Sequence, residues 1–136
     1  MKILMIYCSE FGYTPRVKTL EGVEELSETK VFNNALVAFI QSEEKDEEDM
    51  AGTEKKLVKN LKWAATKNET KNVVLHSFAH LSESKANPEF TKELFDKTEA
   101  RMKNADYNCD QTAFGYFMDL NVQAPGYSQA RIFKSF

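Results

Sequence analysis

Cysteine is scarce in this chain. Cys8 and Cys109 are the only two, far apart and without a CxxC or metal-ligand spacing. That argues against a disulfide framework and a thiolate metal centre, and free thiols in a reducing cytoplasm are expected. Histidine is as rare. His76 and His80 stand four residues apart, which would suit a metal on one helix face, but His76 falls in a predicted strand. No metal and no cofactor are therefore expected. A Gly-rich phosphate loop and a GxSxG elbow are both missing. The longest apolar runs, Ile3–Tyr7 and Ala35–Ile40, are too short to cross a bilayer, so no membrane contact is expected. Met1-Lys2 leads straight into the first run, with no secretory leader pattern. Only 5 glycines and 3 prolines in 136 residues exclude collagen-like and low-complexity readings.

The chain does have an ordinary globular composition, 42% hydrophobic and 29% charged, enough for one domain with its own core. Net charge is −3 but uneven. Glu43–Asp49 holds six acids and one lysine, a local −5, so the remainder is +2 (−3 minus −5). That near-neutral remainder disfavours extensive non-specific nucleic-acid binding while leaving room for contact with one nucleic-acid end.

Periodicity divides the chain into alternating elements. Ile3–Tyr7 reads as a strand covered on both faces; Gly12 and Pro15 break the next stretch, and Arg16–Leu20 reads as a separate short edge strand. Glu21–Lys30 reads as a loop, Ala35–Ile40 as a second buried strand, and the acidic run as a solvated loop. Thr53 is the expected cap of a helix to about Lys67, with Leu57, Val58, Leu61, Ala64 and Ala65 on its inner face. Asn72–Phe78 reads as a third strand. Asn87-Pro88 opens a second helix with Thr91, Leu94, Phe95, Thr98 and Met102 inward. Tyr116–Gln123 alternates as a half-exposed antiparallel strand, and Pro125-Gly126 marks a turn. The order predicts an α/β domain of mixed sheet with two helices and antiparallel strands at both ends.

Two kinds of chemistry are legible. Cys8 ends the first strand and His76 nears the end of another, so a Cys–His nucleophile pair is one reading, against the plainer one of two buried packing residues. The other rests on longer segments: Ser77-Phe78-Ala79-His80-Leu81-Ser82, then Ala86-Asn87-Pro88, then Thr112-Ala113-Phe114-Gly115-Tyr116-Phe117, with Val37-Ala38-Phe39 in the second strand. In order and spacing these segments resemble the editing domain of archaeal threonyl-tRNA synthetases over nearly the whole chain.

The resemblance implies a fold like D-aminoacyl-tRNA deacylases, a homodimer, and residues 1–136 as a single editing-type domain. It implies hydrolysis of L-serine wrongly esterified to threonine tRNA. A threonine pocket cannot strongly exclude serine, since one methyl is worth only about 1–3 kcal/mol, and a second site that admits only the smaller residue corrects the error. The implied partners are the 3′ end of threonine tRNA and the synthetase's catalytic and anticodon-binding domains, in cis or in trans, in the cytoplasm. The implied substrate-binding residues are Ala79, His80, Ala113, Phe114, Gly115, Tyr116, Phe117 and Met118, with His80 the one side chain suited to catalysis.

Departures from the family pattern are concentrated in ionisable residues. Tyr7-Cys8-Ser9 stands where His-Ser-Asp is common, Phe117-Met118 where Tyr-Lys is common, and Gly126–Arg131 where Gly-His-Pro-Leu-Ala-Glu is common. This leaves two readings. An active domain would use main-chain N–H groups and the terminal adenosine's 2′-hydroxyl. A degenerate one would be a tRNA-binding or structural module. Phe114 and Phe117 suit either an adenine-stacking floor or core, Met118 core packing, and His80 substrate contact or loop bracing. Arg131 suits a phosphate or solvent. Trp63, among Lys56, Lys59 and Lys67, suits a subunit or RNA contact or a cover of lysine stems.

Overall fold

The structure is a computed structural model describing residues 1–136. Its elements run β1 (Lys2–Lys18), β2 (Lys30–Gln41), α1 (Met50–Lys67), β3 (Asn72–Ser77), α2 (Pro88–Asn104), β4 (Asn108–Gln111), β5 (Tyr116–Gln123) and β6 (Arg131–Ser135). The 3-10 turns Glu44–Glu48 and Ser128–Ala130 precede α1 and β6. One mixed sheet has the order β4-β3-β2-β1-β5, with β6 also on β1. β2, β3 and β4 are parallel, joined by crossovers through α1 and α2; β1 is antiparallel to β2, β5 and β6. This is the expected mixed α/β architecture of two helices on a curled sheet.

The apolar strands are covered on both faces. On one, Ile3, Met5, Leu36, Ala38, Ile40, Val73 and Leu75 pack under the helices, against Leu57, Leu61, Leu94 and Phe95. The two helix faces read from the periodicity are the buried ones, and Asn87 caps α2 by accepting from the Phe90 N–H at 3.0 Å. On the other face lie Cys8, Phe11, Tyr13, Ala35, Val37, Phe39, Val74 and Ala113. Both strands of the first hairpin change facing midway. Cys8 and Phe11 share this cluster despite opposite parity, as do Ala35 and the partly buried Phe32. The change falls at Ser9 and Asn34, the latter at φ 50. Beyond it the hairpin curls over its own sheet.

Three local expectations are corrected. Arg16–Leu20 is not a separate strand: β1 runs unbroken through Gly12 and Pro15 to Lys18. Pro15 is accommodated because β2 pairing ends at Tyr13↔Lys30, and a bulge between Pro15 and Val17 adjusts the register with β5. Thr53 is not the cap of α1. Asp49 is, accepting from the Gly52 N–H at 2.9 Å, and Thr53 is buried one turn inside. The acidic run is not wholly solvated either. Glu43 and Asp46 are buried and accept from the Met1 amino group at 2.7 and 3.2 Å. β4 adds a short strand that has no sequence signal, because its four residues carry no apolar alternation. No helix is long and apolar enough to cross a membrane.

Candidate functional site

A cleft of about 510 Å³ opens where β2 and β3 end and α2 begins. Two β-turns line it. The first comes after β3, with Ala79 and His80 at its tip; the second precedes β5, with Phe114 and Gly115 at its tip. Gly115 has φ 84, the left-handed value that the third position of a type II turn demands. A Cβ there would also meet Val23 Cγ1 at 2.8 Å. The N–H groups of Ala79, His80, Phe114 and Gly115 form no hydrogen bond within the chain, so both tips present free donors.

The first turn is held by a residue that sequence reasoning missed. Gln41, the last residue of β2 and only 3% exposed, saturates its side-chain amide on the segment after the turn. Its Oε1 accepts from the N–H groups of Leu81 and Ser82 at 2.6 and 2.7 Å. Its Nε2 donates to the carbonyls of Ser82 and Ser84 at 2.7 and 2.8 Å. Three further bonds fasten the segment to the acidic turn: Ser82 Oγ donates to Glu43, the Glu44 N–H donates to Ser84 Oγ, and the Asn87 N–H donates to Glu47. Burial alone would raise the Glu43 carboxyl, but hydrogen bonds from the Met1 amino group and Ser82 outweigh it and hold it at about 2. The only signal was a glutamine closing an apolar strand.

All the residues implied by the family resemblance line this one cleft: Ala79, His80, Ala113, Phe114, Gly115, Tyr116, Phe117 and Met118. Their settings differ. His80 is exposed and stands edge-on to Phe78, with ring centroids 4.9 Å apart. Phe114 is half-buried, edge-on to Phe95 at 6.0 Å, whereas Phe117 is 64% exposed. Met118 packs on the second apolar cluster from the cleft side. The Tyr116 hydroxyl donates to the Glu24 carbonyl and accepts from the Leu26 N–H at 3.0 Å, so it serves as a brace of the 19–26 segment.

His76 lies at the cleft floor, buried among Phe11, Phe39 and Phe78, with Nδ1 2.9 Å from Thr112 Oγ1. Burial holds its pKa down at about 4, so the ring is neutral at pH 7. The Cys8–His76 pair does not form. Because β1 runs antiparallel, Cys8 lies opposite Ala35 and so level with Asn72, whereas His76 is level with Phe39. Four strand residues, about 13 Å, separate the two levels. Burial also pushes the Cys8 thiol up to about 11, far from a nucleophilic thiolate.

Two other singled-out residues lie outside the cleft. Arg131 donates to the Pro125 carbonyl at 2.6 Å, bracing the β5–β6 connection. Trp63 is 44% exposed, with Lys67 and Lys134 Nζ 5.9 and 5.0 Å from its ring. The lysine cover comes partly from β6 rather than from the helix alone.

The cleft contains no carboxylate, arginine or cysteine. Its chemistry is an apolar and aromatic lining, two turns with free N–H donors, the His76 and His80 rings, several serine and threonine hydroxyls and one amine, that of Lys85. Such a lining suits a flat apolar group joined to a small polar one that can accept from unpartnered backbone N–H groups.

A family model described as the archaea-specific editing domain of threonyl-tRNA synthetase matches residues 1–136. The threonine–tRNA ligase of Thermococcus sibiricus is 28% identical over 135 residues, and that of Pyrococcus horikoshii 29%. In both cases 97% of this chain aligns with 22% of the relative, so the chain spans about a fifth of their length. The threonine–tRNA ligase of Nitrosopumilus maritimus is 28% identical over 132 residues. Among solved structures, the c-Myc DNA unwinding element binding protein superposes with a TM-score of 0.68 at 12% identity, covering 100% of this chain and 99% of that one. That likeness shows the fold alone, the α/β architecture implied by the resemblance to D-aminoacyl-tRNA deacylases. With a family model covering its whole length, the chain belongs to the archaea-specific editing domains of threonyl-tRNA synthetase.

Proposed function

We propose that residues 1–136 form a single editing unit that hydrolyses L-serine from mischarged threonine tRNA. The observation that carries this reading is the pairing of two turns with free N–H groups across a cleft that holds no carboxylate or thiol. Ester hydrolysis needs a positioned water and donors for the oxyanion that develops on the carbonyl. The turn tips at Ala79–His80 and Phe114–Gly115 offer those donors. Proton transfer falls to the vicinal 2′-hydroxyl of the terminal adenosine, which arrives oriented with its own ester. Phe117 and Phe114 offer faces for the adenine ring, and His80 stands at the rim to contact the aminoacyl group. Serine is chosen over threonine by size: the extra methyl must fit beside turns locked by Gln41 and Gly115, and rigid walls punish an added methyl more than a pliable pocket would.

In this reading the cleft receives the 3′ end of threonine tRNA, and the remaining tRNA contacts come from synthetase catalytic and anticodon-binding domains, in cis or in trans, in the cytoplasm. β5 is a sheet edge with Leu120 and Val122 exposed, which supports the homodimer implied by the family. The test is single-turnover deacylation of Ser-tRNA and Thr-tRNA, both made with threonine tRNA. The serine ester is hydrolysed and the threonine ester largely spared. Equal hydrolysis of both refutes the selectivity, and binding of the tRNA without turnover of either identifies a degenerate binding module instead.

A further inference from the structure

Lys85 has no role in that hydrolysis, yet it is the only permanently charged residue lining the cleft. Its exposed side chain makes no hydrogen bond or ion pair within the chain. Its backbone surroundings are the opposite of free. Ser84 is bonded on both its carbonyl and its hydroxyl, the Ala86 N–H donates to the Ser42 carbonyl at 2.9 Å, and the Asn87 N–H donates to Glu47. A segment tied down at 84, 86 and 87 thus presents one untied cation to a cleft without a single acid. Lys92, Lys97 and Lys103 each meet an acid four residues away; most other lysines stand unpaired on the outer surface, and Lys85 is set apart by its place in the lining of an acid-free cleft. A lysine that lines the same acid-free cleft as Phe78, Phe114 and Phe117 suits an anion that arrives with a ring.

We propose that Lys85 is the phosphate-binding residue of the cleft, taking the phosphodiester that precedes the terminal nucleoside of a single-stranded RNA end. The inference rests on the reading of the cleft as the seat of such an end, and adds the subsite that holds its charge. An ammonium on a rigid loop positions the nucleotide without touching the ester, so it contributes equally before and during reaction. Its loss therefore raises KM and leaves kcat unchanged.

The test is an NMR titration of the full chain with two probes: adenosine, which carries no phosphate, and a short single-stranded RNA ending in adenosine. Wild type is compared with Lys85→Met, Lys85→Arg and, as a remote control, Lys55→Met on the solvent face of α1. With Lys85→Met, adenosine affinity stays the same and RNA affinity falls about fivefold or more. The slope of log K against log salt shrinks by about 0.7, as expected for one lost phosphate contact on a single strand. Lys85→Arg restores most of the RNA affinity, and Lys55→Met changes neither. RNA affinity and salt slope unchanged in Lys85→Met, with adenosine still bound, overturn the phosphate assignment and leave the cleft reading standing. Equal loss of both probes shows that Lys85 acts on the cleft's shape and likewise overturns it. A wild-type chain that binds neither probe refutes the cleft reading along with it.

Discussion

Replacing Gln41 with leucine removes the clamp on the first cleft turn while filling nearly the same space. Four hydrogen bonds vanish together: two N–H groups, of Leu81 and Ser82, lose their acceptor, and two carbonyls, of Ser82 and Ser84, lose their donor. Each such bond contributes about 0.5–1.5 kcal/mol net. The freed groups belong to half-buried residues, so water recovers part of the loss and the lower half of the range applies. The expected destabilisation is about 2–4 kcal/mol, a fall in Tm of roughly 6–15 °C for a chain of this size. Gln41→Glu keeps the acceptor side and sets a carboxylate against two carbonyls, so it does not rescue. Hydrogen exchange locates the effect. The amides of Leu81 and Ser82 exchange far faster in Gln41→Leu, even at temperatures where Leu75, in β3, retains its protection. Deacylation of Ser-tRNA slows in parallel, because the Ala79–His80 donors are no longer held in place. An unchanged Tm, or a Tm loss with loop and strand amides affected alike, would refute the clamp.

Two further perturbations address the floor and the second turn. His76 has a folded pKa of about 4 against an ordinary 6.5, so between those values the unfolded chain binds the proton more readily, and stability falls as pH is lowered through this window. The loss reaches about 3 kcal/mol near pH 4, and His76→Gln removes that pH dependence; urea unfolding of both proteins at pH 7 and pH 4 measures it, and identical losses would contradict the assignment. Gly115→Ala places a Cβ at φ 84, 2.8 Å from Val23 Cγ1, and is expected to cost about 1–3 kcal/mol and to lower deacylation; a variant with wild-type Tm and rate would show that the turn is not constrained.

The parts of the fold that were legible in the sequence are those set by local chemistry. The Asn87-Pro88 start and the apolar stripes of both helices come from capping and from a 3.6-residue period, which operate within a few turns of chain. The features without a sequence signal depend on partners far away along the chain. β1 crosses Gly12 and Pro15 because β2 and β5 pair with it on either side of the break, and no local signal at Pro15 reports that. Asp49 looks like one more acid in a charged run, yet it displaces Thr53 as the cap because the run ends there and α1 begins. The Cys8–His76 pair fails on strand direction, which periodicity does not encode. Most cleft residues are legible through the short segments that resemble the family, so Ala79, His80 and the Ala113–Tyr116 stretch come together, with Phe117 and Met118 following in the same strand. Gln41 and Lys85 lie outside those segments. Gln41 acts on residues about 40 positions away, and Lys85 reads as an ordinary loop lysine until the cleft around it is seen to lack every other fixed charge.

The most direct test is whether the substrate's own hydroxyl, rather than the exposed His80 ring, carries the chemistry in a cleft without a carboxylate or thiol. Two forms of Ser-tRNA, both esterified on the 3′-hydroxyl, are compared in single turnover: one ends in adenosine and the other in 2′-deoxyadenosine. Loss of a proton-transferring group costs roughly 10²–10⁴-fold. A loss in that range or beyond is expected for the 2′-deoxy substrate, with binding preserved. Met118→Lys, which restores the lysine common in the family, is expected to raise the rate on the ordinary substrate by less than about tenfold, or about 1.4 kcal/mol of barrier. Normal turnover of the 2′-deoxy substrate, or a large gain from Met118→Lys, would contradict substrate-assisted hydrolysis.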